Sequence, residues 1–153
     1  MFRHPSLVTV INLVILATPL LAEKVDMSAE RLLKTATHVV TGQVTGIYER
    51  TETKGDWSYT RYVAETRVDE CEKGGGIKKG DLVYARYWRR AWIGKGRVPP
   101  STAGHRGLPG HGDSIRVYLA RNAYDGFRFD NKDGGFNVIG ANGFGKLKRG
   151  SRN

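Results

Sequence analysis

The run His38-Val39-Val40-Thr41-Gly42-Gln43-Val44-Thr45-Gly46-Ile47-Tyr48-Glu49-Arg50 decides the architecture. Val40, Val44 and Tyr48 recur at spacing four, with Gly42 and Gly46 between them at the same parity. In an extended chain alternate residues share a face, so small and large side chains alternate on this one. Glycine at inner strand positions permits strong coiling or a bulge, which closing a small sheet on itself requires. A coiled strand is expected from His38 to Arg50, with Val40, Val44 and Tyr48 inward.

Outward from that run, Asp26 to Ala36 predicts a short helix capped by Asp26 or Ser28, with Leu32, Leu33 and Ala36 as its apolar face. Thr51 to Asp56 is a polar connection containing Gly55. Trp57 to Glu70 alternates, with Tyr62, Ala64, Thr66 and Val68 on one face and Arg61, Glu65, Arg67 and Asp69 on the other. A glycine-rich break follows, then a third strand from Asp81 to about Ile93. Gly94 to Gly112 holds Pro99-Pro100 and Pro109, which exclude a helix or a central strand. Ser114 to Arg121 is a fourth strand, with Ile115, Val117 and Leu119 inward and Arg116, Tyr118 and Ala120 outward. Short paired strands are expected within Gly126 to Gly145, around Phe127, Phe129, Phe136, Val138 and Ile139, with Asp133-Gly134-Gly135 as a turn.

About five antiparallel strands of this kind predict a mainly β fold, a small five-stranded OB-like barrel preceded by one short helix. The expected organisation is a signal peptide over 1–22, the barrel over 23–145 and a basic tail over 146–153. Thr35-Ala36-Thr37 leading into His38-Val39-Val40-Thr41-Gly42-Gln43-Val44 resembles the entry to the netrin-like barrel family of metalloprotease inhibitors and its exported bacterial relatives. Val63-Ala64-Glu65-Thr66-Arg67-Val68, Gly80-Asp81-Leu82-Val83 and Val117-Tyr118-Leu119 are similar to that family's later strands, so the resemblance spans about residues 28–120. It implies an OB-type barrel. Protease inhibition in that family uses a cysteine at the mature N-terminus and disulfides, whereas this chain has Glu23 there and Cys71 as its one cysteine. That function is therefore not carried over.

Arg3 and His4 form a basic head, Leu7 to Leu16 an apolar core, and Ala22 a small residue at the exit before Glu23-Lys24. This order predicts a secretory signal peptide cleaved after Ala22 and a secreted or periplasmic protein. The apolar stretch is short for a spanning helix, which needs roughly 20 apolar residues. Cys71 alone cannot make an internal disulfide, and between Glu70 and Glu72 it lacks the cationic surroundings of a reactive thiolate. The formal net charge is +10, and losing Arg3 with the signal leaves +9. A field of that sign favours polyanions, and outside the cytoplasm acidic polysaccharide and other envelope polymers are more available than nucleic acid.

The third strand carries the most informative chemistry. Tyr84, Arg86, Trp88, Arg90 and Trp92 fall on one face, and Trp57, Tyr59 and Arg61 of the preceding strand share the outward parity. Stacking surfaces interleaved with guanidinium groups suit a polymer bearing phosphates, sulfates or uronates. The same pattern also suits a cation–π ladder that only covers a sheet. The expected binding residues are Tyr84, Arg86, Trp88, Arg90, Trp92 and Arg61.

His105, His111 and Asp113 lie in one glycine-rich loop and are the candidate metal ligands, since two imidazoles and a carboxylate can hold zinc or iron. Their spacing matches no strong metal signature, and no nucleophile, phosphate-loop or paired-cysteine motif occurs. Asp125, Asp130 and Asp133 lack the regular spacing of a calcium loop. The expected function is thus an exported, non-catalytic binding or interaction module without a cofactor, with anionic polymers as candidate ligands and a protein partner also open. The alternatives are a metal-dependent hydrolase using the histidine loop and a purely structural or protein-interaction domain.

Overall fold

The computed structural model describes residues 25–100, 103–121 and 135–147. The expected signal segment, Phe127, Phe129, Asp125, Asp130, the Asp133-Gly134 part of the turn and the end of the basic tail lie outside them. A helix, α1 (Ala29–Thr35), precedes β1 (His38–Lys54), β2 (Trp57–Lys73), β3 (Leu82–Trp92), β4 (Ser114–Ala120), β5 (Phe136–Val138) and β6 (Phe144–Lys146).

The strands close a ring. β1 pairs with β2, β2 with β3, β3 with β5, β5 with β4, and β4 with β1. All these pairings are antiparallel except the short parallel contact of β3 with β5. This is the five-stranded, mainly β, OB-like barrel that the sequence predicts. Of the short strands expected around Phe127 to Ile139, the half before the turn lies outside the described residues; β5 fills the gap between β3 and β4, and β6 adds to β4. Lys146 is therefore the last residue of a strand and not the start of the tail.

Coiling of β1 against β2 comes from register shifts at Val39/Val40, Thr41/Gly42 and Val44/Gly46. Gly42 is required there, because a Cβ at this position would stand 2.2 Å from the Arg67 carbonyl oxygen. The third shift corrects one expectation. Thr45 is an extra residue on β1, so parity flips after it: Ile47 packs on the core and Tyr48 is exposed. The connection before Trp57 is also shorter than expected. Lys54 pairs with Trp57, leaving Gly55-Asp56 as a two-residue turn with φ +59° at Gly55.

The barrel core gathers Val40, Val44, Val68, Ile115, Val117 and Leu119. Tyr87 lies among them, stacked on Tyr62 at 4.9 Å and edge-on to Phe144 at 5.0 Å. A second core holds α1 against the barrel: Leu32 and Ala36 pack on Val39, Tyr118, Ala120 and Ile139. Tyr118 and Ala120 point outward from the barrel as predicted, yet they are buried because α1 covers that side of β4. Ser28 caps α1 by accepting from the Arg31 amide at 3.2 Å, while Leu33 stays exposed. Asn142 fixes the segment before the helix, accepting from the Met27 amide at 3.0 Å and donating to its carbonyl at 2.9 Å.

Candidate functional site

β1 pairs with β4 only from His38 to Gln43, so the distal part of the β1–β2–β3 sheet extends beyond the closed ring. On β3, Val83, Ala85 and Tyr87 are buried, which turns Tyr84, Arg86, Trp88, Arg90 and Trp92 to the outside. Cross-strand register then sets Trp57 beside Trp92, Tyr59 beside Arg90, Arg61 beside Trp88 and Val63 beside Arg86. Directly paired residues share a face of the sheet. The expected binding residues on β2 and β3 therefore lie together on one outer face.

Two contacts fix the distal end of this face. Trp57 and Trp92 meet edge to face at 5.1 Å, and the Arg90 guanidinium lies over the Trp57 ring at 4.5 Å. Each such contact contributes roughly 0.5–1.5 kcal/mol when partly exposed. Arg61 bridges to Glu52 of β1 at 2.7 Å, with both side chains largely in solvent. At the proximal end Glu65 gathers hydroxyls: Thr45 donates to it at 2.7 Å and Tyr48 at 3.3 Å, and Tyr84 bonds to it as well. The Thr45 bond, aided by Tyr84, Tyr48 and Arg67, holds the Glu65 carboxyl below its ordinary range. The same hydrogen bond to Glu65 raises the Tyr84 phenol.

The flip at Thr45 brings residues to the face that sequence reasoning leaves out. Tyr48, Arg50, Glu52 and Lys54 of β1 register with Val63, Arg61, Tyr59 and Trp57. The two glycines of the opening run signal a bulge, but nothing in the residue pattern says which residue is the extra one.

The histidine loop serves the same face in a different way from metal binding. His105 is fully buried, with Nε2 3.1 Å from the Val138 carbonyl oxygen, to which it donates. Its Nδ1 accepts from the Trp88 amide at 3.2 Å, and its own amide donates to the Trp88 carbonyl at 3.0 Å. The Trp88 ring stands edge-on to the imidazole at 6.2 Å, so the loop buttresses Trp88 from behind. His111 is exposed, while Asp113 accepts from the Gly110 amide at 2.7 Å and pairs with Lys146 at 2.9 Å. Among the described residues no three His, Cys, Asp or Glu side chains converge as a metal site, and His105, His111 and Asp113 do not come together.

His38 is likewise structural in its surroundings, with Nε2 3.1 Å from the Gly75 carbonyl and its ring edge-on to Phe136 at 4.9 Å. Cys71 is a half-buried thiol near the end of β2. Among the described residues no helix is long and apolar enough to cross a membrane. Comparisons with family models, with curated proteins and with solved structures return no match.

Proposed function

We propose that this protein is an exported, non-catalytic module that binds anionic polymers of the envelope or extracellular space on the outer face of β1–β3. One observation carries the reading: the β2–β3 register sets aromatic and cationic side chains next to each other on one half-exposed outer surface. Rings offer stacking planes to sugars or bases, and guanidinium groups between them offer paired donors to phosphate, sulfate or carboxylate. The second and third strands are also where OB-type barrels commonly bind oligosaccharides and oligonucleotides. The net charge of +10 supplies long-range attraction to the same ligands. Export rests on the order of basic head, apolar core and Ala22 in the first residues. Kinship with the netrin-like barrels belongs to the same proposal and rests on the quoted strand motifs together with the ring order.

The test is a tryptophan-fluorescence titration of the purified protein with acidic polysaccharide, a teichoic-type polymer and an oligonucleotide, each at two salt concentrations. Binding to one of them should weaken with salt. Arg86→Ala and Arg90→Ala should each lower the affinity and reduce the salt slope by about one. Affinity unchanged in both variants, or no response to any polymer, would refute binding on this face.

A further inference from the structure

The β1 strand has an edge that the barrel does not use. β4 covers β1 only as far as Gln43, and the loop before β4 adds bonds at Val44. From Thr45 to Lys54, no strand among the described residues pairs with that side of β1. Because Lys54 and Trp57 close a two-residue turn, Lys54, Glu52 and Arg50 direct their backbone groups to β2. Glu49, Thr51 and Thr53 direct theirs to the open side. An exposed row of this kind is a template for another strand.

We propose that this edge pairs antiparallel with the same edge of a second copy, about a two-fold axis at Thr51. The charge pattern favours that occupant, and that register over the adjacent ones. Centred on Thr51, Arg50 faces the partner subunit's Glu52, Glu52 faces the partner subunit's Arg50, and Tyr48 faces the partner subunit's Lys54. Centred on Arg50 the pairing would set arginine on arginine, and centred on Glu52 glutamate on glutamate. Centred on Glu49 it would again oppose two glutamates. Like charges directly opposed are destabilising, so three of these four registers are disfavoured and one is favoured.

A second observation points the same way. Within one copy Arg50 is directly opposite Arg61, and Arg61 already takes Glu52 as its ion-pair partner. Among the described residues no ion pair forms to Arg50. A second carboxylate across the two-fold axis would balance the Arg50–Arg61 pair. Edge charges often prevent strand pairing; here their alternation favours the register centred on Thr51 and penalises those on either side of it. The assembly is a continuous six-stranded outer sheet, β3-β2-β1-β1-β2-β3, presenting two aromatic–cation faces side by side. It goes beyond the binding reading and stands whether or not polymer binds.

Sedimentation velocity of the purified protein over a concentration series should show a reversible monomer–dimer equilibrium that weakens with salt. Arg50→Glu and Glu52→Arg should each weaken dimerisation at least about tenfold, and the double charge swap should restore it. Thr51→Pro removes an edge-directed donor and should leave a folded monomer, checked by circular dichroism. A wild-type protein that stays monomeric, or a dimer indifferent to all these substitutions, would overturn the proposal.

Discussion

Gly104→Ala tests how the loop positions Trp88. Gly104 has φ +93° and forms a bridge with Arg89, with Trp88 directly beside it. A Cβ there would stand 2.5 Å from the Trp88 carbonyl oxygen and 2.8 Å from its ring. The backbone conformation alone costs an L-residue about 1–3 kcal/mol. Relieving the clash moves a carbonyl that accepts the His105 amide at 3.0 Å, and losing that bond adds roughly 1 kcal/mol. The total of about 2–4 kcal/mol corresponds to a fall in Tm on the order of 10 °C for a chain of this size. Gly96 is the control, because its φ is +92° but a Cβ there would meet nothing within 4 Å. Thermal unfolding of Gly104→Ala, Gly96→Ala and wild type, followed by near-ultraviolet circular dichroism, separates strain from clash. Gly104→Ala should melt well below Gly96→Ala and lose part of the aromatic signal. Equal melting temperatures in the two variants would refute the view that the loop clamps Trp88.

Two further perturbations address the face itself. Trp57→Ala removes the contacts to Trp92 and Arg90, so amide exchange should quicken over residues 52–59 while Tm changes by only a few degrees; unchanged protection would mean that the ladder does not hold the hairpin tip. Glu65→Gln tests the hydroxyl cluster. The folded-state carboxyl is lowered, so its stabilisation is present above the ordinary value of 4.5 and is lost as pH falls through the lowered one. Wild type should therefore be the more stable at about pH 6, with the difference shrinking toward about pH 3; a constant difference across that range would remove Glu65 as the cause.

The fold class was legible because alternation on β2, β3 and β4 is regular and each strand buries one face. Tyr62, Ala64, Thr66 and Val68 lie on the inner side as their spacing requires, and Val83, Ala85 and Tyr87 do the same. The outer set on β3 followed from that parity without any knowledge of partners. What stayed hidden depends on contacts across the chain. Only pairing with β2 makes Thr45 the extra residue, and only the approach of α1 buries Tyr118 and Ala120. His105 reads as a ligand in sequence because imidazole is a common ligand. Its backbone partners, Trp88 and Val138, are 17 and 33 residues away. No local pattern encodes such a contact.

The bulge at Thr45 links the barrel, the face and the edge. Without the extra residue, Tyr48, Arg50, Glu52 and Lys54 would turn toward the side on which Tyr62 and Tyr87 lie, and Ile47 would leave the core. Arg50, Glu52 and Lys54 would then leave the aromatic face for the sheet's other side, while Glu49, Thr51 and Thr53 would stand beside Arg61 and Trp57. With it, each strand of the three-stranded sheet contributes aromatic and cationic groups to one surface. The distal sheet is also wet on its other side, where Thr51, Ser58, Thr60, Arg89 and Ala91 have no barrel core beneath them. A two-sided ribbon of this kind depends on cross-strand side-chain pairs for its order. The Trp57–Trp92–Arg90 contacts therefore stabilise the scaffold even in the absence of ligand, whereas Arg86 is registered with Val63 and not with a ring. A loss of polymer affinity in Arg86→Ala with unchanged amide exchange would thus separate recognition from support within one sheet.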